Sequence, residues 1–476
     1  MKFRLTWAIY FLFLFVPFEV ILLKYLPVSD RIYGLFLFAV EVFIYLLAGL
    51  VLFRFLASRK LPIGTPIDKP LWIFIGYSLV ITVVNQAPML QSFIGLRVLL
   101  RYVPLFYVLC FIQTGSNFPR TIFRGMLAVI GIQTLITIWQ HYFGLNQIWY
   151  PRASELEIGG KQFSFKLLNT SFSGGREMGV GIGTFGDSVF LALFLVIAFA
   201  VLIAALQKGN LESKQQRWMV FALTGLSLAS LFFTYSRGSV LLALAAIPLI
   251  IYFSGGRKKL LIYLTIGLIA LSPVLLFGIV GNSSNSPGYI NPKIKYTDPI
   301  SNIFAVFTSS YVENTMQFSR GAILTEIGGE LVSSFKLLGY SPAQEFALEK
   351  AATKLFGSNM PINNLPIIND VYWVAFIIYY GIIGLAIFWF ILFKLFKGSL
   401  FVYRNTPDPY LRIFALAFVA IVILAIPYSF ILRTFVFRAW GFYFWLIAGL
   451  VFAEWRRLKS LEKQGLPLTS ESTTGS

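Results

Sequence analysis

Arginine is the side chain through which this sequence offers the most chemistry. The usual catalytic and metal-binding groups are scarce: the chain has one cysteine, Cys110, and one histidine, His141. A disulfide within the chain is therefore excluded and a His/Cys metal site is not expected. Arginines, by contrast, recur at the ends of apolar runs: Arg97, Arg101, Arg176, Arg237, Arg433 and Arg438, with Arg320 in a long polar stretch. A guanidinium presents a planar fork of donors that suits a phosphate, and several forks together suit a diphosphate. For any one of them the plain alternative is a side chain that snorkels to lipid headgroups.

Three short patterns surround these arginines. Thr234-Tyr235-Ser236-Arg237-Gly238-Ser239 lies between two apolar runs, where Gly238 is expected to turn the chain and Ser236 and Arg237 to point into a cavity. Gly183-Thr184-Phe185-Gly186-Asp187 heads another run, with Asp187 either hydrogen-bonded in the bundle or lining the cavity. Asn369-Asp370-Val371-Tyr372-Trp373 precedes Tyr380-Gly381-Ile382-Ile383-Gly384-Leu385. Glu19 and Glu41 fall inside apolar runs and read either as a proton relay or as buried hydrogen-bonding groups. No basic partner facing them is identifiable from sequence. His141, between Trp139 and Tyr142, reads as part of an interfacial aromatic belt. Glu313, Glu326 and Glu330 read as solvated helix faces, or as one group assisting an acceptor.

The elements that must position these residues are membrane helices. Of 476 residues, 57% are hydrophobic and 12% charged, and the mean hydropathy is +0.76. No soluble core uses so much apolar surface, whereas a bilayer provides a solvent for it. Spans are expected near 6–25, 33–53, 71–93, 98–115, 122–143, 178–206, 217–235, 238–254, 260–280, 366–393, 412–431 and 439–453. That makes about twelve, each of roughly 20 apolar residues, and an all-α, polytopic bundle. Pro17, Pro104 and Pro427 do not break the assignment, because neighbouring helices satisfy freed backbone groups. The N-terminal run lacks a small-residue cleavage site and reads as an uncleaved first span.

The net charge of +19 fits basic residues facing anionic headgroups, and nothing in the sequence suggests nucleic-acid binding. The basic clusters (Arg54 to Lys69, Arg120 and Arg124, Lys208 to Arg217, Arg257 to Lys259, Lys394 to Arg412, Arg456 to Lys463) alternate with the spans. All fall on one side if both termini are cytoplasmic. The expected organisation is nine spans over 1–280 with an external loop at 144–177, a large loop at 281–365, three spans over 366–455, and a cytoplasmic tail at 456–476. The large loop has helical periodicity over 321–338 and 341–355, and a connection of that length is usually functional. The tail from Gly465 has a disordered composition. There is no internal repeat by eye, which argues against a transporter built from related halves.

With these features in place, the sequence resembles the O-antigen ligase and O-antigen polymerase superfamily over roughly 176–389. The Ser236-Arg237-Gly238 turn carries the resemblance, with Ser319-Arg320-Gly321 and Leu338-Gly339-Tyr340 in the large loop. So does Asn369-Asp370-Val371-Tyr372 ahead of the Tyr380–Leu385 stretch. The resemblance implies an inverting glycosyltransferase, independent of metal or other cofactor. Its donor would be a glycan on undecaprenyl diphosphate at the outer face of the inner membrane, its acceptor a glycan or lipid-linked sugar. Arg237 and Arg320 would bind the diphosphate and stabilise its charge as it leaves. Arg97, Arg101, Arg176, Ser236, Asn369, Tyr372, Arg433 and Arg438 complete the expected substrate-binding set. Ligases of the superfamily typically carry His-Asn where this chain has Asn369-Asp370. Asp370 then reads either as the base for the acceptor hydroxyl or as the cap of a helix beginning at Val371. The change favours polymerisation of lipid-linked repeats over ligation of a finished glycan. A lipid-linked glycan flippase is the reading from a different class, and it predicts mid-membrane basic residues.

Overall fold

The computed structural model describes residues 2–29, 38–58, 64–112, 115–144, 180–208, 213–255, 337–356 and 371–466, a strand pair at 155–158 and 161–164, and a few isolated positions. The span expected at 260–280 lies outside the described residues, as does most of the loop expected at 281–365.

Apolar runs become helices because a helix satisfies its own backbone polar groups, which lipid cannot do. The first, α1 (Lys2–Phe15), passes through a 3₁₀ turn at Val16–Phe18, set by Pro17, into α2 (Glu19–Lys24). Then come α3 (Ala39–Ser58), α4 (Asp68–Val84), α5 (Met89–Leu100), α6 (Val103–Phe111) and α7 (Phe118–Phe143). A short antiparallel pair, β1 (Glu155–Ile158) and β2 (Lys161–Ser164), interrupts the helical pattern. The chain continues with α8 (Ser188–Lys208), α9 (Lys214–Phe233), α10 (Arg237–Phe253), α11 (Gln344–Phe356), α12 (Tyr372–Asn405), α13 (Pro409–Tyr428) and α14 (Arg438–Lys463).

This is a multi-pass helical membrane protein. Among the described residues, 6 helices are long and apolar enough to cross a bilayer: Leu5–Lys24, α7, Ser188–Gln207, α9, α12 and α13, with a seventh if α5 and α6 form one bent span. Helix α8 is the hub: every side chain from Leu191 to Ala205 is buried, packed against α9, α10, α13 and α14. The periphery is apolar too, with Phe53 and Trp72 each 70% exposed on α3 and α4, as a lipid-facing surface requires.

Helix ends follow local capping chemistry. Asp408 caps α13 by accepting from Tyr410 N at 2.8 Å and Leu411 N at 2.9 Å, with Pro409 at the first helical position. Ser213 accepts from Gln216 N at the start of α9.

Several boundaries differ from the sequence expectation: α8 starts at Ser188 rather than near 178, α12 runs on to Asn405 and α14 to Lys463, and the division between the third and fourth expected spans is moved. Spans expected at 71–93 and 98–115 are instead divided at 85–88. Gln86 takes a left-handed conformation (φ 52°), Gln86 N bonds Val83 O, and Ala87 N bonds Thr82 O, which closes α4 in a Schellman motif ahead of Pro88. The following helix then bends by 52° between α5 and α6. Arg97 and Arg101 consequently sit at the end of α5 and at that bend, rather than opening a span.

Candidate active site

Five charged side chains from four parts of the chain converge where α5 bends. Glu19 is the first residue of α2, and Glu41 lies in the first turn of α3, where helix dipoles favour negative charge. Arg97 lies in the last turn of α5, Arg101 caps its C-terminus, and Arg438 opens α14. A spacing of four residues puts Arg97 and Arg101 on one helix face. Arg97 Nη2 donates to Glu41 Oε2. Arg101 Nη1 lies 3.4 Å from Glu41 Oε1, and Arg438 bridges Glu19 Oε1 at 3.6 Å and Glu41 Oε1 at 3.9 Å.

Burial explains the pairing. Glu19 and Glu41 are 5% and 1% exposed, and a lone carboxylate at such depth is costly. The arginines are less buried, with side-chain exposures of 34%, 12% and 22% for Arg97, Arg101 and Arg438. Three guanidinium groups against two carboxylates leave one positive charge in excess. Phe38 lies beneath two of them, its ring 4.9 Å from Arg97 Cζ and 5.9 Å from Arg438 Cζ. Arg101 Nε is buried and meets no hydrogen-bond partner among the described residues. The cluster is thus a set of donors held by two buried acids, with part of each arginine side chain still accessible.

Two glycine-bearing motifs meet beside it. Helix α12 breaks at Gly381 (φ 68°, ψ 179°), which frees backbone groups that the helix would otherwise pair. Residues 337–340 take them up: Tyr340 N donates to Ile378 O at 2.9 Å and Ile383 N to Leu337 O at 3.3 Å. The backbones approach so closely that a Cβ on Gly339 would lie 2.2 Å from Tyr379 O, and one on Gly381 2.3 Å from Leu337 O. The same segment docks on α4 and α5. Asn85 Nδ2 donates to Gly339 O at 3.1 Å, Ser92 Oγ and Ser341 Oγ are 2.8 Å apart, and Pro342 lies against Gly95, half a turn before Arg97.

The Ser236-Arg237-Gly238 turn is built differently from the expectation. Tyr235, not Gly238, takes the positive φ (55°), while Gly238, in the first turn of α10, is closely packed on Ile431. Ser236 Oγ lies 2.6 Å from Ser239 Oγ, which in turn bonds Tyr428 OH, so this hydroxyl is engaged within the fold rather than pointing into a cavity. Tyr428 packs edge-on against Trp440 in the first turn of α14, which places the turn at the same end of the bundle as Arg438. Tyr372 and Trp373 pack on Phe435 in the 429–437 connection, which also carries Arg433. Arg433 Nε is buried without a hydrogen-bond partner among the described residues.

The arrangement therefore brings together Arg97, Arg101 and Arg438, and gathers Ser236, Arg237, Tyr372 and Arg433 around the turn before α14. Arg176, Arg320, Asn369 and Asp370 lie outside the described residues, as do Glu313, Glu326 and Glu330. No protein-family model matches the chain, and no curated protein matches it significantly. Two other candidates have structural roles. Asp187 caps α8, accepting from Val189 N at 2.7 Å and Phe190 N at 3.2 Å, and burial holds its carboxyl above the ordinary range. The Gly183-Thr184 stretch ahead of it is clamped by Gln133 and Gln140 of α7; Gln140 Oε1 accepts from Ile182 N and Gly183 N. His141 stacks on Phe233 at 3.9 Å. Sequence reasoning missed that Glu19 and Glu41 are counter-ions of the arginines. The four-residue spacing of Arg97 and Arg101 was the available sign that these two act together.

Proposed function

We propose that the protein is a membrane glycosyltransferase that polymerises undecaprenyl-diphosphate-linked oligosaccharide repeats into a surface polysaccharide. The observation that carries this reading is the convergence of Arg97, Arg101 and Arg438 on one end of the helical bundle, with excess positive charge and part of each arginine side chain exposed. That end would face the outer leaflet. Contacts between Tyr107 and Asp68, Arg456 and Cys110 O, and Thr406 and Glu454 gather the opposite helix ends, next to the basic clusters expected in the cytoplasm. Twelve spans, with 260–280 as the ninth, would put both termini there.

In the reaction, the acceptor hydroxyl oxygen bonds to the anomeric carbon of the donor with inversion. The bond from that carbon to phosphate oxygen breaks, and the diphosphate leaves with the electron pair. Arginines around the leaving group favour the transition state because the negative charge grows there. Arg237 and Arg320 would join them, and Asp370 would accept the hydroxyl proton.

Deleting the gene and analysing lipid-linked glycans tests the proposal. Single repeats on the lipid carrier are the expected product. Long, unattached chains would indicate ligation to a separate acceptor instead, and repeats confined to the cytoplasmic leaflet a flippase. Complementation with Arg101→Ala or Arg438→Ala should leave single repeats accumulating while the protein remains in the membrane. Normal polymer from both variants would refute the role given to the cluster.

A further inference from the structure

A groove of about 770 Å³ opens between α4 and α12, away from the arginine cluster. Its size falls within the roughly 300–1,000 Å³ typical of small-molecule sites. Its walls are mostly apolar, formed by Ile73 of α4 and by Ala386, Ile387 and Phe390 of α12; Lys69 and Lys394 also line it, beside Thr65, Pro66 and Pro70. Tyr77 OH donates to Tyr380 O, and Phe74 packs on Phe388, so moving back along α4 means moving forward along α12. Lys69 and Lys394 therefore come to the same end of the groove. Lys394 lies seven residues beyond Ile387, about 10 Å along the helix axis.

Both cations lack an acidic partner among the described residues. The neighbouring acid, Asp68, is occupied: it accepts from Thr65 N at 2.7 Å and from Tyr107 OH at 2.9 Å. Lys394 Nζ sits 4.9 Å over the Phe390 ring. Ile73 and Phe390 are 60% and 47% exposed on what is, in a bilayer, a lipid-facing wall. Two ammonium groups without an acidic partner among the described residues, at one end of an apolar trough, match a ligand with an anionic head and a hydrocarbon tail. A free anion has no use for the trough, an uncharged lipid tail has none for the lysines, and a zwitterionic headgroup brings its own cation.

We propose that this groove is a binding site for one anionic glycerophospholipid, with its phosphate between Lys69 and Lys394 and an acyl chain along Ile73, Ile387 and Phe390. The site is independent of the glycosyl-transfer reading. Native mass spectrometry of the full-length protein in detergent, titrated with phosphatidylglycerol, phosphatidylcholine or inorganic phosphate, tests it. Wild type should retain one phosphatidylglycerol in preference to phosphatidylcholine, and phosphate should not displace it. The double variant Lys69→Gln/Lys394→Gln should weaken retention roughly thirty-fold, since each lysine near an anionic headgroup is worth a factor of roughly five and the two factors multiply. Ala386→Phe, at an exposed position, should block the groove without altering charge, and Lys397→Gln, one turn along α12, should leave binding intact. Equal retention in the double variant, equal binding of phosphatidylcholine, or displacement by phosphate would each overturn the proposal.

Discussion

Replacing Glu41 by glutamine removes one of the two negative charges in the cluster while keeping the side chain's size and one acceptor oxygen. The local excess then rises from one positive charge to two, and Arg97, Arg101 and Arg438 all lose a partner within 4 Å. A charge pair about 3.5 Å apart at an effective dielectric near 20 is worth about 5 kcal/mol before desolvation. Breaking a buried pair by removing one member costs about 3–5 kcal/mol in practice. Arg97 keeps 34% of its side chain exposed and can recover hydration, so the lower end, about 3 kcal/mol, is expected. The assay is reversible unfolding of the purified protein in mixed micelles, run as a double-mutant cycle of Glu41→Gln and Arg97→Gln. Arg97→Gln alone takes from Glu41, which is 1% exposed, the arginine that donates to its Oε2, leaving it Arg101 and Arg438, and should also destabilise. Together the two changes restore the wild-type excess of one positive charge, so the double variant should be more stable than the summed single effects by about 2 kcal/mol. Additivity within about 0.5 kcal/mol, the range found for independent sites, would refute the pairing.

Gly381→Ala should destabilise by about 3 kcal/mol, because the residue takes a positive φ and its Cβ would collide with Leu337 O; thermal unfolding reads the loss. Gln140→Met leaves Ile182 N, Gly183 N and Gly183 O without their buried partner and should cost at least about 3 kcal/mol in the same assay. Asp187 titrates above the ordinary carboxyl range because it is buried, so the folded protein holds this proton more tightly than the unfolded chain. Its contribution to stability therefore falls as pH rises from the ordinary aspartate range through the folded value. Asp187→Asn should gain on wild type as pH increases from about 4 to 8, and a stability difference that does not change with pH would count against this. Asp408→Ala removes the cap of α13 and should cost about 1 kcal/mol.

Several features were legible in sequence because their causes are local. The helical periodicity expected over 341–355 appears as α11, because a helical repeat is carried by neighbouring residues. The break between α4 and α5 was misplaced because Gln86, a residue with no special turn signal, adopts the left-handed conformation that closes α4. Gly238 was read as the turn residue on the same reasoning, yet the strain falls on Tyr235, and Gly238 serves packing instead. The two glycine motifs, Leu338-Gly339-Tyr340 and Tyr380-Gly381, could each be seen, but not their mutual contact. Only the folded chain shows that each glycine makes room for the other's backbone.

By itself, the sequence determined that this protein lies in a membrane, where most of its helices run, and which arginines need explaining. Hydropathy, charge flanks and capping are properties of neighbouring residues, so no fold is required to read them. The pairing of those arginines was decided by tertiary structure alone. Arg97 reaches Glu41 across 56 residues of sequence, and Arg438 on α14 reaches Glu19 near the start of the chain. Such contacts follow from which helices pack together, and that packing is set by the shape of whole apolar faces around α8 rather than by any short stretch of sequence.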